Sequence, residues 1–149
     1  YPYICRRLEV SNLSATPVVV AHWIDVMHQI PNFINELGSY LMDHLKNRVL
    51  TKNDIDAIYT EAAESKAGRY QAALFAYSNA ERRIIHAIEK ADVVDSITGK
   101  CVQNETGLGS ANLSRYAKQL EACPLLGQSL DGVWHIVDPF FKQYVKMRG

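Results

Sequence analysis

The chain has 149 residues, 48% of them hydrophobic and 21% charged, and its sixteen basic and sixteen acidic side chains cancel. Enough apolar residues are present for a real core in one domain or two small ones. Neutrality excludes a global pull toward nucleic acid, so any such site has to be a local patch. Three cysteines, Cys5, Cys101 and Cys123, are too few and too odd for a disulfide framework. They point to a reducing compartment, the cytoplasm. No apolar run approaches the roughly 20 residues that span a bilayer, so no membrane partner is expected. The chain starts at Tyr1-Pro2-Tyr3 with neither Met nor a signal peptide and reads as a fragment of a longer protein.

Taken in order, Ile4 to Val10 reads as a short strand, closed by the polar break Ser11-Asn12. Thr16-Pro17 is a helix start, a capping hydroxyl followed by proline at the first helical position. That helix carries Ala21, Trp23, Ile24 and Met27 and ends before Pro31. Asn32 is the expected cap of the next, in which Phe33, Ile34, Leu37, Leu41 and Leu45 recur at helical spacing. Gly38 within that pattern predicts close contact with a neighbour. Thr51 with Asp54 three residues on is a variant capping box, and Ile55, Ile58, Tyr59 and Ala62 form the buried face behind it. The pattern runs on toward Tyr77 with a break near Gly68. Ser78 and Glu81 make a cleaner capping box for a helix carrying Ile84, Ile85, Ala87 and Ile88. Asp92 to Asp95 reads as a hinge.

The stretch from Asp95 to Val137 then runs polar helix, glycine turn, second helix, Gly-bounded loop and aromatic strand. Gly107-Leu108-Gly109 breaks the chain and Ser110 offers a hydroxyl to cap a new helix. Leu113, Tyr116, Ala117 and Leu120 make its apolar stripe. Asn112, Arg115, Lys118 and Gln119 occupy the other face. A helix pinned on one side, with amides and cations on the other, has the layout of a recognition helix in a helix-turn-helix. Leu125-Leu126, a turn from Gln128 to Gly132 and a returning strand from Val133 to Val137 read as a wing. Asp138 is placed to cap a last amphipathic helix from Pro139, with Phe140, Phe141, Tyr144 and Val145 against Lys142, Lys146 and Arg148. The fold class expected is mostly α: a helical bundle over residues 1–77, then a winged helix-turn-helix with a small β-hairpin wing over 78–149. The first part holds seven basic and eight acidic residues and the second nine and eight, so neither is strongly polarised.

Several chemistries lack their residues. There is no G-x-x-x-x-G-K-[ST] loop and no G-x-G-x-x-G, so nucleotide phosphates are not held by that means. The cysteines are isolated. His22 and His28, six apart, would face about 240° from each other on one helix, so no metal site is expected. Cys101, His135 and Asp138 are the only loose candidates for a nucleophile and its helpers. Cys101 is read as an apolar filler, His135 as a surface or half-buried residue of the wing strand and Asp138 as a helix cap. No catalytic residue is assigned to the chain.

Asn112-Leu113-Ser114-Arg115-Tyr116, the wing and the ending Trp134-His135-Ile136-Val137-Asp138-Pro139-Phe140 together resemble the C-terminal part of prokaryotic AAA+/STAND-type ATPases of the Orc/Cdc6-like group. The resemblance spans roughly residues 10–145. It implies that the upstream helices are a lid, with Pro31 matching the proline of a Gly-x-Pro element near the nucleotide and Thr51 to Ile55 matching a helix start. Gln29 stands where that element has glycine, and Asn32 where an arginine often follows the proline. Both departures weaken nucleotide sensing by the lid. ATP and Mg²⁺ would belong to the parent's core, and no cofactor is assigned to this chain. The expected function is double-stranded DNA binding, with Asn112, Arg115 and Gln119 toward base edges. Ser110, Ser114, Lys118, Lys100, Lys142 and the wing residues Gln128 and Ser129 complete the surface, several of them toward phosphates. The alternative is a regulatory module that packs on the missing ATPase core or another protein without touching DNA, with Trp134, Phe141 and Tyr144 partly at that interface.

Overall fold

The computed structural model describes residues 2–148. The protein is mostly helical, with short strands, and divides into two compact units, Tyr1–Ser65 and Lys66–Gly149. The change of module expected between residues 77 and 78 falls inside the second unit. This division also separates charge. Residues 1–65 carry five basic against eight acidic side chains, net −3, and residues 66–149 carry eleven against eight, net +3. Among the described residues no helix is long and apolar enough to cross a membrane.

The first unit begins with α1 (Pro2–Glu9), where a strand was expected. Ile4 and Leu8 are buried one turn apart, whereas Val10 is 86% exposed, so the helical pairing decides the segment. Arg7 anchors the helix by donating to Asn35 Oδ1 at 3.0 Å and Ser39 Oγ at 2.8 Å. Next come β1 (Leu13–Ser14), α2 (Pro17–Val26), α3 (Pro31–His44), β2 (Arg48–Val49) and α4 (Lys52–Ser65). β1 and β2 pair in parallel, Leu13 opposite Arg48. Thr16 caps α2 through Val19 N, and Thr51 and Asp54 exchange the two capping-box bonds at 3.2 and 2.9 Å. Asn32 is not a cap. α3 starts two residues earlier, with Ile30 at the cap position and Pro31 in the first turn. Gln29 has a φ of 60°, the left-handed conformation that glycine adopts without cost.

Gly38 lies on α3 against the buried Trp23 of α2. A Cβ built there would stand 3.0 Å from Trp23 Cζ2, and Trp23 Nε1 is fixed by its bond to Ile34 O at 3.1 Å. Overpacking costs about 1–3 kcal/mol, and the gain in helix propensity is about 1 kcal/mol. Gly38→Ala should therefore destabilise the first unit by about 1 kcal/mol in urea melts, and a stabilised variant would show that the ring gives way.

The second unit is built round α6 (Asn79–Ala91), preceded by α5 (Ala67–Phe75). The break before α5 comes at Lys66; Gly68 lies inside the helix. Ser78 and Glu81 close the full capping box on α6. Ile84, Ile85, Ala87 and Ile88 are buried. The expected hinge holds β3 (Val93–Val94). After it come α7 (Lys100–Thr106), α8 (Ser110–Leu120), β4 (Leu126–Gln128), β5 (Trp134–Ile136) and α9 (Pro139–Arg148). The three strands form one antiparallel sheet in the order β3-β5-β4, with Val94 and Gln128 flanking Trp134. Trp134, Phe140, Phe141, Tyr144 and Val145 are buried in this unit's core.

Candidate nucleic-acid interface

The turn between α7 and α8 is fixed by its own chemistry. Gly107 ends α7 at a φ of 72°, and its N–H reaches Gln103 O at 2.9 Å. The buried Thr106 hydroxyl donates to Val102 O at 2.7 Å and accepts from Leu108 N at 3.3 Å. Gly109, not Ser110, takes the N-cap position of α8, and no side chain caps it. The helix starts one residue earlier than expected, which leaves Ser110 exposed in its first turn.

Leu113 and Leu120 are fully buried, and Tyr116 and Ala117 are half-buried. Asn112, Ser114, Arg115, Lys118 and Gln119 are all exposed with Ser110 on the same helix. Among the described residues no carboxylate pairs with Arg115 or Lys118. The Arg115 guanidinium lies 5.1 Å from the centre of the Tyr116 ring, which restricts its swing without neutralising it. Lys100 is exposed at the start of α7.

Other expected contacts are otherwise engaged. Lys142 is paired with the carboxylate of Asp92, and burial pushes its ammonium pKa down. Its expected role as a phosphate contact is therefore withdrawn. The Gln128 amide donates to Gly132 O at 3.1 Å, and Ser129 bonds Asp131 and Val133 within the hairpin. The tip itself carries a fully exposed Leu130. Beside it, the Ser129 hydroxyl holds Asp131 below its usual carboxylate pKa. An anion and an apolar side chain thus stand beside Gln128 and Ser129, the two wing residues expected to touch phosphates. Pro31 is exposed in the first turn of α3, in the other unit.

The remaining loose candidates have structural partners or settings. Cys101 is exposed on α7, not a filler, because Val102 and Thr106 take the buried face. His135 is half-buried on β5 between the buried Trp134 and Ile136. One oxygen of Asp138 caps α9 through Phe140 N at 2.9 Å and Phe141 N at 3.4 Å; the other accepts from Tyr70 Oη at 2.9 Å. Among the described residues no three His, Cys, Asp or Glu side chains group as a metal site.

A second feature of this unit escaped the sequence. An open groove of about 520 Å³ runs beside α6, with Arg83, His86 and Lys90 along that helix and Lys146 and Arg148 on α9. The helical spacing of the α6 residues was readable, but not that α9 supplies the facing wall. No protein-family model, curated protein or solved structure matches the chain.

Proposed function

We propose that the second unit is a winged helix that binds double-stranded DNA through α8, and that the helices before it form the lid of an ATPase-type protein. The observation that carries this reading is the two-faced character of α8: leucines buried on one side, Asn112, Arg115, Lys118 and Gln119 exposed on the other. The helix, strand, two-helix and hairpin order and the sheet order β3-β5-β4 support it, as does the unit's net +3. On this reading ATP and Mg²⁺ are handled by the parent's core, and the protein works in the cytoplasm.

Of the cations expected at this surface, Arg115, Lys118 and Lys100 remain available to neutralise phosphates. Three neutralised phosphates give a log–log salt slope of about −3, so the interaction is weak at physiological salt. Arg115→Ala should cost about 1–3 kcal/mol and relax sequence preference, while Lys118→Ala weakens all sequences alike. Fluorescence anisotropy at low salt with mixed-sequence duplexes measures both. Binding by Arg115→Ala equal to that of the unsubstituted chain would end the recognition-helix reading.

One observation favours a second reading. Leu130 and Asp131 at the hairpin tip suit a protein surface better than a phosphate backbone. On that reading the unit packs on the parent ATPase core, or on another protein, and regulates it without contacting DNA. Leu130→Ser would then weaken capture of that core and leave duplex binding unchanged.

A further inference from the structure

We propose that the pocket between β3 and the start of α7 binds a small zwitterion with an apolar side chain, Asp95 taking its ammonium group and Lys100 its carboxylate. The site does not depend on duplex binding by α8, although Lys100 is shared with the surface described above. The pocket follows from how the chain turns. β3 is fixed by its pairing with the central strand, Val93 opposite His135 and Val94 opposite Trp134. After it, Gly99 N reaches Ser96 O at 3.1 Å and Thr98 N donates to Ser96 Oγ at 3.3 Å. The buried Ile97 anchors this turn. The first residues of α7 are brought back beside β3, and an open pocket of about 360 Å³ is left, lined by residues 93–96 and 99–101.

The charged side chains lining this pocket are Asp95 and Lys100. Both are exposed, and among the described residues neither side chain has an ion-pair or hydrogen-bond partner. They therefore stand too far apart to neutralise each other. Elsewhere in the unit facing opposite charges have closed on one another, Lys90 on Glu105 and Lys142 on Asp92. The other walls are largely apolar. Val94 is buried, Val93 is 51% exposed, and the Cys101 thiol counts as a small apolar group.

These walls select the ligand. A lone anion meets Asp95 as well as Lys100, and a lone cation meets Lys100 as well as Asp95. A zwitterion satisfies both, with a charge-assisted hydrogen bond at each end. A divalent cation needs more oxygen ligands than one carboxylate supplies, and among the described residues no three such groups gather. A nucleotide brings several negative charges to a single ammonium. Val93 offers surface for an apolar side chain to cover, and the volume is that of a small-molecule site. A free apolar amino acid and a short apolar peptide carry the same two charges at different spacings.

The test is a titration of the full chain followed by amide chemical shifts at low salt. The separate probes are L-leucine, leucyl-leucine, isocaproate and isoamylamine. Saturable shifts at residues 93–101 are expected with leucine or leucyl-leucine, with a Kd on the order of 1 mM. Binding should weaken about tenfold or more when either ligand charge is missing, as in isocaproate and isoamylamine, and when either protein charge is removed, in D95N or K100Q. Both positions are exposed, and an unchanged remainder of the spectrum shows that the variants are folded. Tighter leucine assigns the site to a free amino acid, and tighter leucyl-leucine assigns it to a peptide. No saturable shift at these residues with either zwitterion overturns the proposal. So does equal affinity for isocaproate or isoamylamine, or equal binding by D95N and K100Q.

Discussion

Leu113→Ala lowers the stability of the second unit by about 2–5 kcal/mol, the cost of deleting a fully buried leucine and leaving a cavity. Leu113 is completely inaccessible and sits one turn into α8, where that helix meets the core around α6. Its removal acts on function as well as on folding, because the same side chain sets which way Asn112 and Arg115 face. Gln119→Ala, on the exposed side, should change stability by less than about half a kcal/mol. Urea melts followed by circular dichroism measure both. A loss under about half a kcal/mol for Leu113→Ala would mean that α8 is held by something other than its apolar stripe.

Asp138→Ala should cost about 2–4 kcal/mol, more than a helix cap alone. Loss of the two α9 cap bonds accounts for about 1 kcal/mol. The rest comes from Tyr70, which is buried and whose hydroxyl would lose its Asp138 acceptor, at about 1–3 kcal/mol. In a Tyr70→Phe background the unsatisfied hydroxyl is gone, so Asp138→Ala should cost only the cap. A full additive loss in the double variant would refute the linkage. The same contact predicts alkaline behaviour. Burial first, and then the charge of Asp138, push the Tyr70 phenol well above its ordinary value of about 10. The folded state therefore favours the neutral phenol. Its stabilisation is complete below pH about 10 and is lost as pH rises beyond that. Tyr70→Phe should flatten this fall. Tyr77, pushed up to about 12 by its hydrogen bond with Cys123, leaves part of the slope in place.

The elements legible in the sequence were those whose signals are local. The capping boxes at Thr51 and Ser78, the glycine stop at Gly107 and the Asp138 cap each need only residues a few positions apart, and all four form. The stripe of α8 was legible for the same reason. Ile4 to Val10 misled because its β-branched ends look extended, while the partners that make it a helix lie near residues 35 and 39. β3 is two residues long and exists by pairing with β5, about forty positions away, which no local pattern announces. The candidate site was half legible. The face of α8 followed from helical periodicity. That Lys142 would be spent on Asp92, and that Gln128 and Ser129 would turn into their own hairpin, depended on folded geometry. The basic groove was not legible, since its walls come from opposite ends of the second unit.

The division of charge between the units has a consequence for the protein as a colloid. Near its isoelectric point of about 7.1 the chain has no net repulsion to keep copies apart. Each copy nevertheless offers one unit at −3 and one at +3. At low ionic strength the acidic unit of one molecule attracts the basic unit of another, over a range of about 30 Å at 0.01 M salt and about 10 Å at 0.1 M. Moderate salt shortens that reach and disperses the molecules, so this protein salts in before it salts out.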